Sequence, residues 1–352
     1  MLDISRTLAD LTADLAAINS VVGNEKEIAD ALADVFAEYG LVIERVKNSL
    51  VLRLDFGKEK TIALIGHLDT VPLSREEQTR AKVENGNLIG LGTCDMKCGI
   101  ACALKILYEI KKEIIIPSQN IVFAFYDGEE GPLPNGVTRL LAENKLQNID
   151  FAYILEPTCS KYSIGCLGAL TAKFEIPGIS AHSANPILGK NALSEAAKIV
   201  RKIEEKDKEL RKPQEIDGLP FYETINVTQL TTENASNVIP PKANLTINFR
   251  FSPKRTLENA KEFLFSIIDK NLLKTLDCAN SCFVTADKTD YFLRSGCEKE
   301  IMQAWTDIAQ LNAAGIPAIN FGAGDIKLAH KPEEFVNIAN LEYFYELLKK
   351  HI

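Results

Sequence analysis

A histidine and a carboxylate stand two residues apart at the end of a short apolar run. The run covers Thr61 to Ile65, and His67 and Asp69 follow it. In extended backbone, residues i and i+2 point to the same face, so both side chains can face one site. A carboxylate next to a histidine can fix the tautomer and ring orientation that metal binding requires. The alternative interpretation is a histidine that is satisfied within the core and a carboxylate that merely ends a strand.

Two further apolar runs also end in acidic residues. The run 121–126 leads to Glu129 and Glu130, and the run 151–155 leads to Glu156. Short, uninterrupted runs of this kind predict buried strands, and ligands in α/β sheets bind at the carboxyl ends of strands. Adjacent carboxylates would be harmless in a surface turn, but at the end of a buried strand they are costly unless a positive charge lies nearby. The repetition therefore predicts a metal site along one edge of a sheet.

Asp95 and His330 extend the set of candidate ligands. Asp95 follows a glycine-rich loop and precedes a helix predicted to begin at Met96. It could cap that helix, or the surrounding glycines could permit a tight backbone that aims it elsewhere. His330 follows a predicted strand and a loop, whereas His351 lies at the C-terminus, where fraying is expected. The candidate metal ligands are therefore His67, Asp95, Glu130, Glu156 and His330.

Two histidines and three carboxylates can hold two metal ions. Each ion would take one histidine and one terminal carboxylate, with Asp95 bridging the two. Ligation by nitrogen and oxygen suits zinc, and also cobalt or manganese. Glu129 is left over, and a non-ligating carboxylate beside such a site can take a proton from the attacking water. The predicted reaction class is metal-assisted hydrolysis of an amide or an ester.

Three of the eight cysteines raise a second metal hypothesis. Cys94, Cys98 and Cys102 are four residues apart, which places them on one stripe if the stretch is helical. A three-cysteine zinc site is possible in principle, but one stripe spaces its thiols too far apart for a single tetrahedral ion. Buried, reduced thiols are the favoured interpretation, and they are typical of a cytoplasmic protein.

The whole chain excludes several classes of protein. It has 352 residues, of which 46% are hydrophobic and 25% charged, and its net charge is −8. This length allows two domains. No basic tract rises above the acidic background, so nucleic acid and anionic membranes are not expected partners. The first residues do not form a signal peptide, and no apolar run is long enough to span a membrane. We expect a cytoplasmic protein.

Helices and strands alternate in the mixture that is typical of an α/β fold. Between residues 168 and 279 the pattern changes to that of a separate α+β domain, and the first pattern then resumes. The predicted helices cover 4–17, 25–39, 192–212, 257–276, 301–312 and 340–350. Besides those named above, the predicted strands cover 41–46, 50–56, 169–176, 224–230, 243–251 and 316–321.

Five motifs resemble, in order, those of the di-zinc aminoacylase/carboxypeptidase-like metallopeptidases. They are Gly66–Pro72, Cys94–Lys97, Asp127–Gly131, Glu156–Pro157 and Ala329–Lys331. The resemblance covers nearly the whole chain. It implies an α/β mixed-sheet, aminopeptidase-like catalytic domain with an inserted α+β, ferredoxin-like dimerisation domain. The implied boundaries are 1–167 and 280–352 for the catalytic domain and 168–279 for the insert.

The resemblance also implies a role for each site residue. His67 and Glu156 would hold one zinc ion, Glu130 and His330 the other, and Asp95 would bridge the two ions. The peptide bond after Asp95 would be cis. Asp69 would orient His67, and Glu129 would act as general base and then as general acid. His182 would stabilise the oxyanion in the partner subunit's site, and Arg250 and Asn237 would bind the substrate.

Four more stretches resemble one branch of this family, whose members remove an acyl group from a biosynthetic amino acid. They are Asn237–Pro240, Asn248–Phe251, Trp305–Asp307 and Gly315–Gly322. The implied protein is a homodimeric enzyme with two zinc ions that hydrolyses a small N-acyl amino acid. A deacetylase or a dipeptidase of the same family, and a metal-binding relative without catalysis, are the alternatives. Arg250 could bind a substrate carboxylate bidentately, or it could form an ion pair on the surface.

Overall fold

The computed structural model describes residues 2–72, 81–294 and 296–352. The chain forms two compact units, and the second interrupts the first. The first unit contains Met1–Ile164, Val284–Glu300 and Gln310–Ile352, and the second contains Gly165–Phe283 and Ile301–Ala309. The functional division at residues 167/168 and 279/280 stays a prediction. In the described part of the chain, no helix is both long and apolar enough to cross a membrane.

Helices and strands follow one another along the chain in three stretches. The first stretch contains α1 Leu8–Ala17, α2 Lys26–Glu38, β1 Ile43–Val46, β2 Ser49–Leu54, β3 Thr61–His67, β4 Lys82–Glu84, β5 Asn87–Ile89, α3 Lys97–Lys111, β6 Asn120–Tyr126, α4 Gly136–Ala142 and β7 Phe151–Ile154. The middle contains β8 Tyr162–Cys166, β9 Gly168–Pro177, β10 Ala181–His182, α5 Ala192–Leu210, β11 Gln214–Ile216, β12 Leu219–Phe221, β13 Thr224–Thr231, β14 Val238–Ile239, β15 Lys242–Phe251, α6 Leu257–Ile267, β16 Leu273–Ala279 and β17 Cys282–Phe283. The last stretch contains α7 Ala286–Thr289, β18 Lys299–Met302, α8 Ile308–Ala313, β19 Ala318–Asn320, β20 Phe335–Asn337 and α9 Ile338–Lys349.

A mixed sheet forms the centre of the first unit. Its order is β1-β2-β6-β3-β7-β19-β8. Strand β3 is parallel to both β6 and β7, and β7 is parallel to β19, whereas β1, β2 and β6 pair antiparallel. In the register of the central pair, His67 lies opposite Tyr126. The parallel arrangement brings the carboxyl ends of β3, β6 and β7 to one edge, which is the edge the sequence predicts for the metal site.

Close packing of helix α3 against the sheet sets the position of Asp95. The interior residues of β3, from Ile62 to Ile65, are fully buried. At Gly99, in the first turn of α3, a Cβ atom would lie 2.7 Å from the side chain and the carbonyl oxygen of Leu155. Only glycine allows this approach. It brings the start of α3 next to the end of β7, where Glu156 follows.

The second unit is built on a four-stranded antiparallel sheet in the order β13-β15-β9-β16. Along the chain its elements follow as β9, α5, β13, β15, α6 and β16. Helices α5 and α6 pack with one face of the sheet to form the core of this unit, which includes Leu170, Phe174, Ile203, Ile247, Phe249 and Leu264. The alternate residues of β15 are polar and point to the other face.

The predicted helix over 257–276 is wrong in its second half. Helix α6 begins after Thr256, whose side chain accepts a hydrogen bond from the backbone N–H of Asn259, and it ends at Ile267. Ile268 already has extended backbone. The residues from Leu273 to Ala279 form β16, which pairs with β9 and completes the sheet. In this stretch, leucines and isoleucines occur at spacings that fit both a helix and a strand. Pairing with the open edge of β9 favours the strand.

Two other predicted helices also differ from the structure. Residues 301–312 do not form one helix, since β18 ends at Met302 and α8 begins at Ile308. The first helix begins at Leu8 instead of Ile4, because the Thr7 side chain accepts a hydrogen bond from the Asp10 backbone N–H and caps it there. A capping residue defines where a helix begins, whereas hydrophobic periodicity indicates that position less precisely.

The expectation of a frayed C-terminus is wrong. His351 is 1% exposed and packs against the rings of Tyr153 and Phe321. Its Nδ1 lies 2.9 Å from the carbonyl oxygen of Leu347, and its Nε2 lies 2.6 Å from the hydroxyl of Tyr162. Because a carbonyl only accepts, Nδ1 carries the proton and Nε2 accepts from the tyrosine. The C-terminal turn therefore belongs to the core of the first unit.

We expect His351 to make the fold sensitive to mild acid. Burial lowers the pKa of His351 from 6.5 to about 4. Between these values the unfolded chain binds a proton that the folded chain does not, so the free energy of unfolding falls as pH decreases through this range. The full loss is about 3 kcal/mol. Urea unfolding at about pH 7 and about pH 4.5 measures it.

The variant His351→Gln removes the titrating group, so its stability should fall less between the two pH values than that of the wild type. Equal pH dependence in the wild type and His351→Gln would contradict the expectation.

Candidate metal centre

His67 lies at the last position of β3 and is 1% exposed. Its Nδ1 is 3.0 Å from the main-chain oxygen of Asp69 and 3.7 Å from the carboxylate of the same residue. The carbonyl oxygen requires a donor, so Nδ1 carries a proton and Nε2 is the nitrogen that a metal ion could bind. The Nε2 atom faces Asp95 Oδ1 at 3.0 Å and Glu156 Oε1 at 3.8 Å.

The carboxylate of Asp69 makes its shortest contacts with the loop that carries the two adjacent glutamates. It is fully buried, and its two oxygens accept hydrogen bonds from the backbone N–H groups of Glu129 and Glu130, at 3.0 and 2.8 Å. Asp69 thus contacts His67 mainly through its main chain and uses its side chain to hold the loop after β6. The sequence pattern indicated only the relation to His67.

Asp95 lies between the two candidate histidines. Its Oδ1 faces His67, and its Oδ2 lies 3.4 Å from His330 Nε2. It does not cap α3, because the N-cap residue is Met96 and no side chain caps that end. The Asp95–Met96 peptide bond is cis, as the family resemblance implies. With one oxygen toward each histidine, Asp95 has the arrangement that a bridging carboxylate needs.

His330 and Glu130 complete the cluster. His330 Nε2 lies 2.8 Å from Glu130 Oε1, and the His330 side chain is 52% exposed. Donor atoms of His67, Asp95 and Glu130 all lie within 4.8 Å of one another. Glu156, which follows β7, is buried next to His67. The structure therefore brings all five predicted ligands together, although they come from separate stretches of sequence.

The electrostatics of the cluster favour a cation. Burial lowers the pKa of His67, but the hydrogen bond to Asp95 and the charges of Asp95, Glu156 and Asp69 outweigh burial and raise it well above the ordinary value. Hydrogen bonds to Asp95 and Glu130 raise the pKa of His330 to about 10. Both imidazoles thus attract protons because carboxylates surround them. Divalent ions supply positive charge in the same place, and the imidazole and carboxylate donors are those that zinc accepts.

The cysteines do not belong to this cluster. Among the described residues, the group that could hold a metal ion contains no thiol. The thiol of Cys94 donates to the main-chain oxygen of Asp325, and the thiol of Cys98 donates to that of Cys94. Cys102 is fully buried in α3. The structure thus favours buried, reduced thiols over a three-cysteine zinc site.

The remaining predicted site residues lie in other contexts. Glu129 follows β6 directly and is half-buried. His182, Asn237 and Arg250 all belong to the second unit. His182 and Asn237 are exposed and lie on facing segments, since His182 pairs with Val238 and the Ser183 N–H donates to the Asn237 main-chain oxygen. Arg250 lies on the polar face of β15 and is partly buried.

Glu334 is a residue of the site that the sequence analysis missed. It is 1% exposed, and its Oε1 accepts hydrogen bonds from the backbone N–H groups of Cys94 and Asp95, at 2.9 and 3.0 Å. Burial raises the pKa of Glu334 to about 7. Its carboxyl group holds the backbone that presents Asp95. Its position four residues after His330 was the available signal, but an acid in a charged loop normally lies at the surface.

We expect Glu334 to control metal affinity without touching the metal. Glu334→Leu removes the acceptor for two backbone N–H groups, so the dissociation constant of the bound metal should rise about 10- to 100-fold. The free energy of unfolding should fall by about 1–3 kcal/mol. Glu334→Gln is the matched control, because it keeps an oxygen acceptor and should stay near the wild type. Competition with a chelating dye measures the affinity, and equal affinity in all three proteins would contradict the expectation.

The sequence of the chain is similar to those of known proteins. A sequence model of the peptidase family M20/M25/M40 matches residues 63–352. The succinyl-diaminopimelate desuccinylase of Corynebacterium glutamicum is 31% identical over 356 residues, which cover 97% of this chain and 95% of that protein. A putative succinyl-diaminopimelate desuccinylase of Mycobacterium tuberculosis is 30% identical over 361 residues, covering 100% of this chain and 99% of the relative.

The fold is also similar to that of solved structures. A tripeptidase from Staphylococcus aureus superposes with a TM-score of 0.80 at 22% sequence identity, over 100% of this chain and 98% of that one. At this identity the similarity concerns the fold alone.

Proposed function

The chain belongs to the peptidase family M20/M25/M40, and from this membership we propose that it hydrolyses the amide bond of N-succinyl-LL-2,6-diaminopimelate. The products are succinate and the free diamino acid, and the reaction belongs to lysine and diaminopimelate biosynthesis in the cytoplasm. The observation that carries the proposal is the convergence of two histidines and three carboxylates in a chain whose full-length relatives bear the name desuccinylase.

The donor set suits two divalent ions, zinc first and cobalt or manganese as alternatives. His67 and Glu156 would hold one ion, Glu130 and His330 the other, and Asp95 both. Two ions bound there supply Lewis acidity for the amide carbonyl and lower the pKa of water. The protein's own contribution is the rigid placement of these ligands, through the Asp69 carboxylate and the buried Glu334.

Glu129 is the proposed proton carrier. Its backbone N–H is held by Asp69 next to the ligand Glu130. As general base, its carboxylate accepts a proton from the attacking water. As general acid, it then donates that proton to the nitrogen of the leaving amine, so that the amine departs in neutral form. One carboxylate thus serves both halves of the reaction.

His182 is proposed to stabilise the negative charge that develops on the carbonyl oxygen. The backbone N–H of Ala184 donates to His182 Nδ1 at 3.1 Å, so Nδ1 is the acceptor and, in the neutral ring, Nε2 carries the proton. The exposed Nε2–H group is then ready to donate a hydrogen bond. We assign this hydrogen bond to the substrate that is bound by a second copy of the chain.

A homodimer follows from that assignment, and the surface around His182 supports it. Three large apolar side chains on the same segment are exposed, namely Ile179 at 57%, Ile187 at 91% and Leu188 at 70%. Exposed apolar side chains in a cluster are typical of surfaces that another protein covers. We propose that the second unit is a dimerisation domain and that a second copy of this chain covers the segment.

Arg250 and Asn237 are the proposed substrate-binding residues of the second unit. A succinyl group and a diaminopimelate moiety both carry carboxylates, and arginine binds a carboxylate through two parallel hydrogen bonds. Asn237 offers both a donor and an acceptor from an exposed position. These two residues would favour a substrate with a charged N-succinyl group over substrates whose acyl group has no charge.

A comparison of substrates tests the proposal. The zinc-loaded protein is assayed with N-succinyl-LL-2,6-diaminopimelate, N-acetylornithine and a dipeptide. We expect kcat/KM for the succinyl compound to exceed the other two by about 100-fold or more. Preference for either other substrate would keep the hydrolytic chemistry and overturn the assigned substrate. If the protein binds two zinc ions but hydrolyses none of the three amides, the result would favour a metal-binding protein without catalysis.

A further inference from the structure

The polar face of the second unit's sheet leaves space around Arg250. In the register of the sheet, Arg250 lies between Ala169 of β9 and Thr224 of β13. Ala169 in turn pairs with Ala279 of β16. Residues that pair directly in a sheet share a face, so the side chains next to the guanidinium are small. A ligand can therefore approach Arg250 across this row.

Asn248 lies two residues before Arg250 on the same face of β15 and holds its side chain. Arg250 Nε donates to Asn248 Oδ1 at 3.0 Å, and Asn248 Nδ2 donates to Thr171 Oγ1 at 2.9 Å. Thr171 is the direct cross-strand partner of Asn248. An arginine can only donate, so the amide oxygen of Asn248 must face it and the amide nitrogen must face Thr171. The three side chains form one chain of hydrogen bonds with a single direction.

These contacts leave one edge of the guanidinium for a ligand. Asn248 occupies the Nε–H group, which restrains rotation of the planar group. In the described part of the chain, no hydrogen bond engages the two terminal nitrogens of Arg250. Among the described residues, no carboxylate forms an ion pair with Arg250, whereas Arg255, which follows β15, is paired with Glu223. Burial lowers the pKa of the Arg250 guanidinium. A partly desolvated cation without an internal anion attracts an external one strongly.

We propose that Asn248 is a positioning residue, held by Thr171, that orients Arg250 for two parallel hydrogen bonds to a carboxylate of the substrate. The identity of that carboxylate rests on the proposed function. The orientation itself depends only on the contacts within the second unit. Asn248 does not touch the ligand, and its effect on binding passes through Arg250.

A double-mutant cycle with succinate as the probe tests this inference. The zinc-loaded, full-length protein is titrated with succinate by calorimetry in four forms: wild type, Asn248→Leu, Arg250→Met and the double variant. Leucine keeps the branched shape of the asparagine side chain and removes both hydrogen bonds. We expect Asn248→Leu to raise the dissociation constant of succinate about tenfold and to have no further effect once Arg250 is methionine. Asn244→Leu, an exposed position on the same face of β15, is the matched control.

Several outcomes would overturn the inference. An equal effect of Asn248→Leu with and without Arg250 would mean that Asn248 acts on the fold and not through the guanidinium. Succinate binding that is unchanged in Arg250→Met would mean that Arg250 binds no carboxylate of the probe. If Asn248→Leu does not fold, Thr171→Val takes its place, with an expected rise in the same direction of about threefold.

Kinetics separate this inference from the proposed function. With N-succinyl-LL-2,6-diaminopimelate, Asn248→Leu should raise KM and leave kcat within about twofold, because the change concerns ground-state binding. If the wild type does not hydrolyse this compound while the succinate cycle behaves as expected, the proposed substrate fails and the positioning role of Asn248 stands. A loss of kcat with KM unchanged would contradict the positioning role.

Discussion

Glu129→Gln will lower kcat for the succinyl substrate by about 10³- to 10⁴-fold and will leave the bound metal in place. Glutamine has the shape of glutamate but cannot accept a proton from water at neutral pH. The backbone N–H of residue 129 still donates to Asp69, so the loop keeps its position. Glu129 is not one of the five proposed metal ligands, so its carboxylate is not needed to hold the ions. We therefore expect unchanged metal content and a KM within about threefold of the wild type.

Steady-state kinetics and mass spectrometry of the bound metal measure these two quantities on the same preparations. Glu143→Gln is the matched control, because Glu143 is an exposed glutamate of the first unit and its loss should not change kcat. Glu129→Asp should fall between the wild type and the glutamine variant, since the carboxylate remains but lies one methylene further away. Full activity of Glu129→Gln would remove Glu129 from the proposed mechanism.

Asp95→Asn will remove both metal ions at once. Asp95 faces His67 with one oxygen and His330 with the other, so the loss of its charge weakens both halves of the cluster. We expect the dissociation constant of each ion to rise by about 100-fold or more and kcat/KM to fall in proportion to the lost metal. Equilibrium dialysis against buffered zinc, followed by elemental analysis, measures the stoichiometry at each free zinc concentration.

Asp150→Asn is the matched control for this experiment. Asp150 precedes β7 at the end of the strand opposite to Glu156, and it binds Lys60 and the Thr61 backbone N–H. It should therefore keep two ions per chain. If Asp95→Asn lost only one ion and kept the other with normal affinity, Asp95 would be a terminal ligand of one site, and the bridging arrangement would be wrong.

Local sequence was sufficient to indicate the candidate metal-binding side chains that follow the parallel strands. Each of β3, β6 and β7 appears as a short apolar run, and each run is followed within a few residues by a histidine or an acid. The carboxyl ends of parallel strands lie at the same edge of a sheet, so the side chains that follow such strands lie close together. Asp95 and His330 lie in loops that carry no such periodicity, and their loop contexts beside predicted elements indicated them.

Local sequence was not sufficient where a residue's partner is distant along the chain. Glu334 binds the N–H group of Cys94 from 240 residues away, and nothing in a charged loop indicates that an acid there is buried. The role of the Asp69 carboxylate has the same origin, since its partners Glu129 and Glu130 are 60 and 61 residues away. A sequence pattern shows which groups can form hydrogen bonds, whereas the fold decides which of them meet.

The sequence by itself determined the class of chemistry, because side-chain type and strand periodicity are local properties. It determined the candidate metal ligands, the candidate proton carrier Glu129 and the alternation of helices and strands. Only the tertiary structure decided that residues 273–279 complete a sheet instead of extending a helix, and that His351 is buried instead of frayed. In both cases the local pattern fits two conformations of similar energy. The choice between them comes from contacts with distant residues: β9 offers an unpaired edge to β16, and Tyr162 offers a hydroxyl to His351.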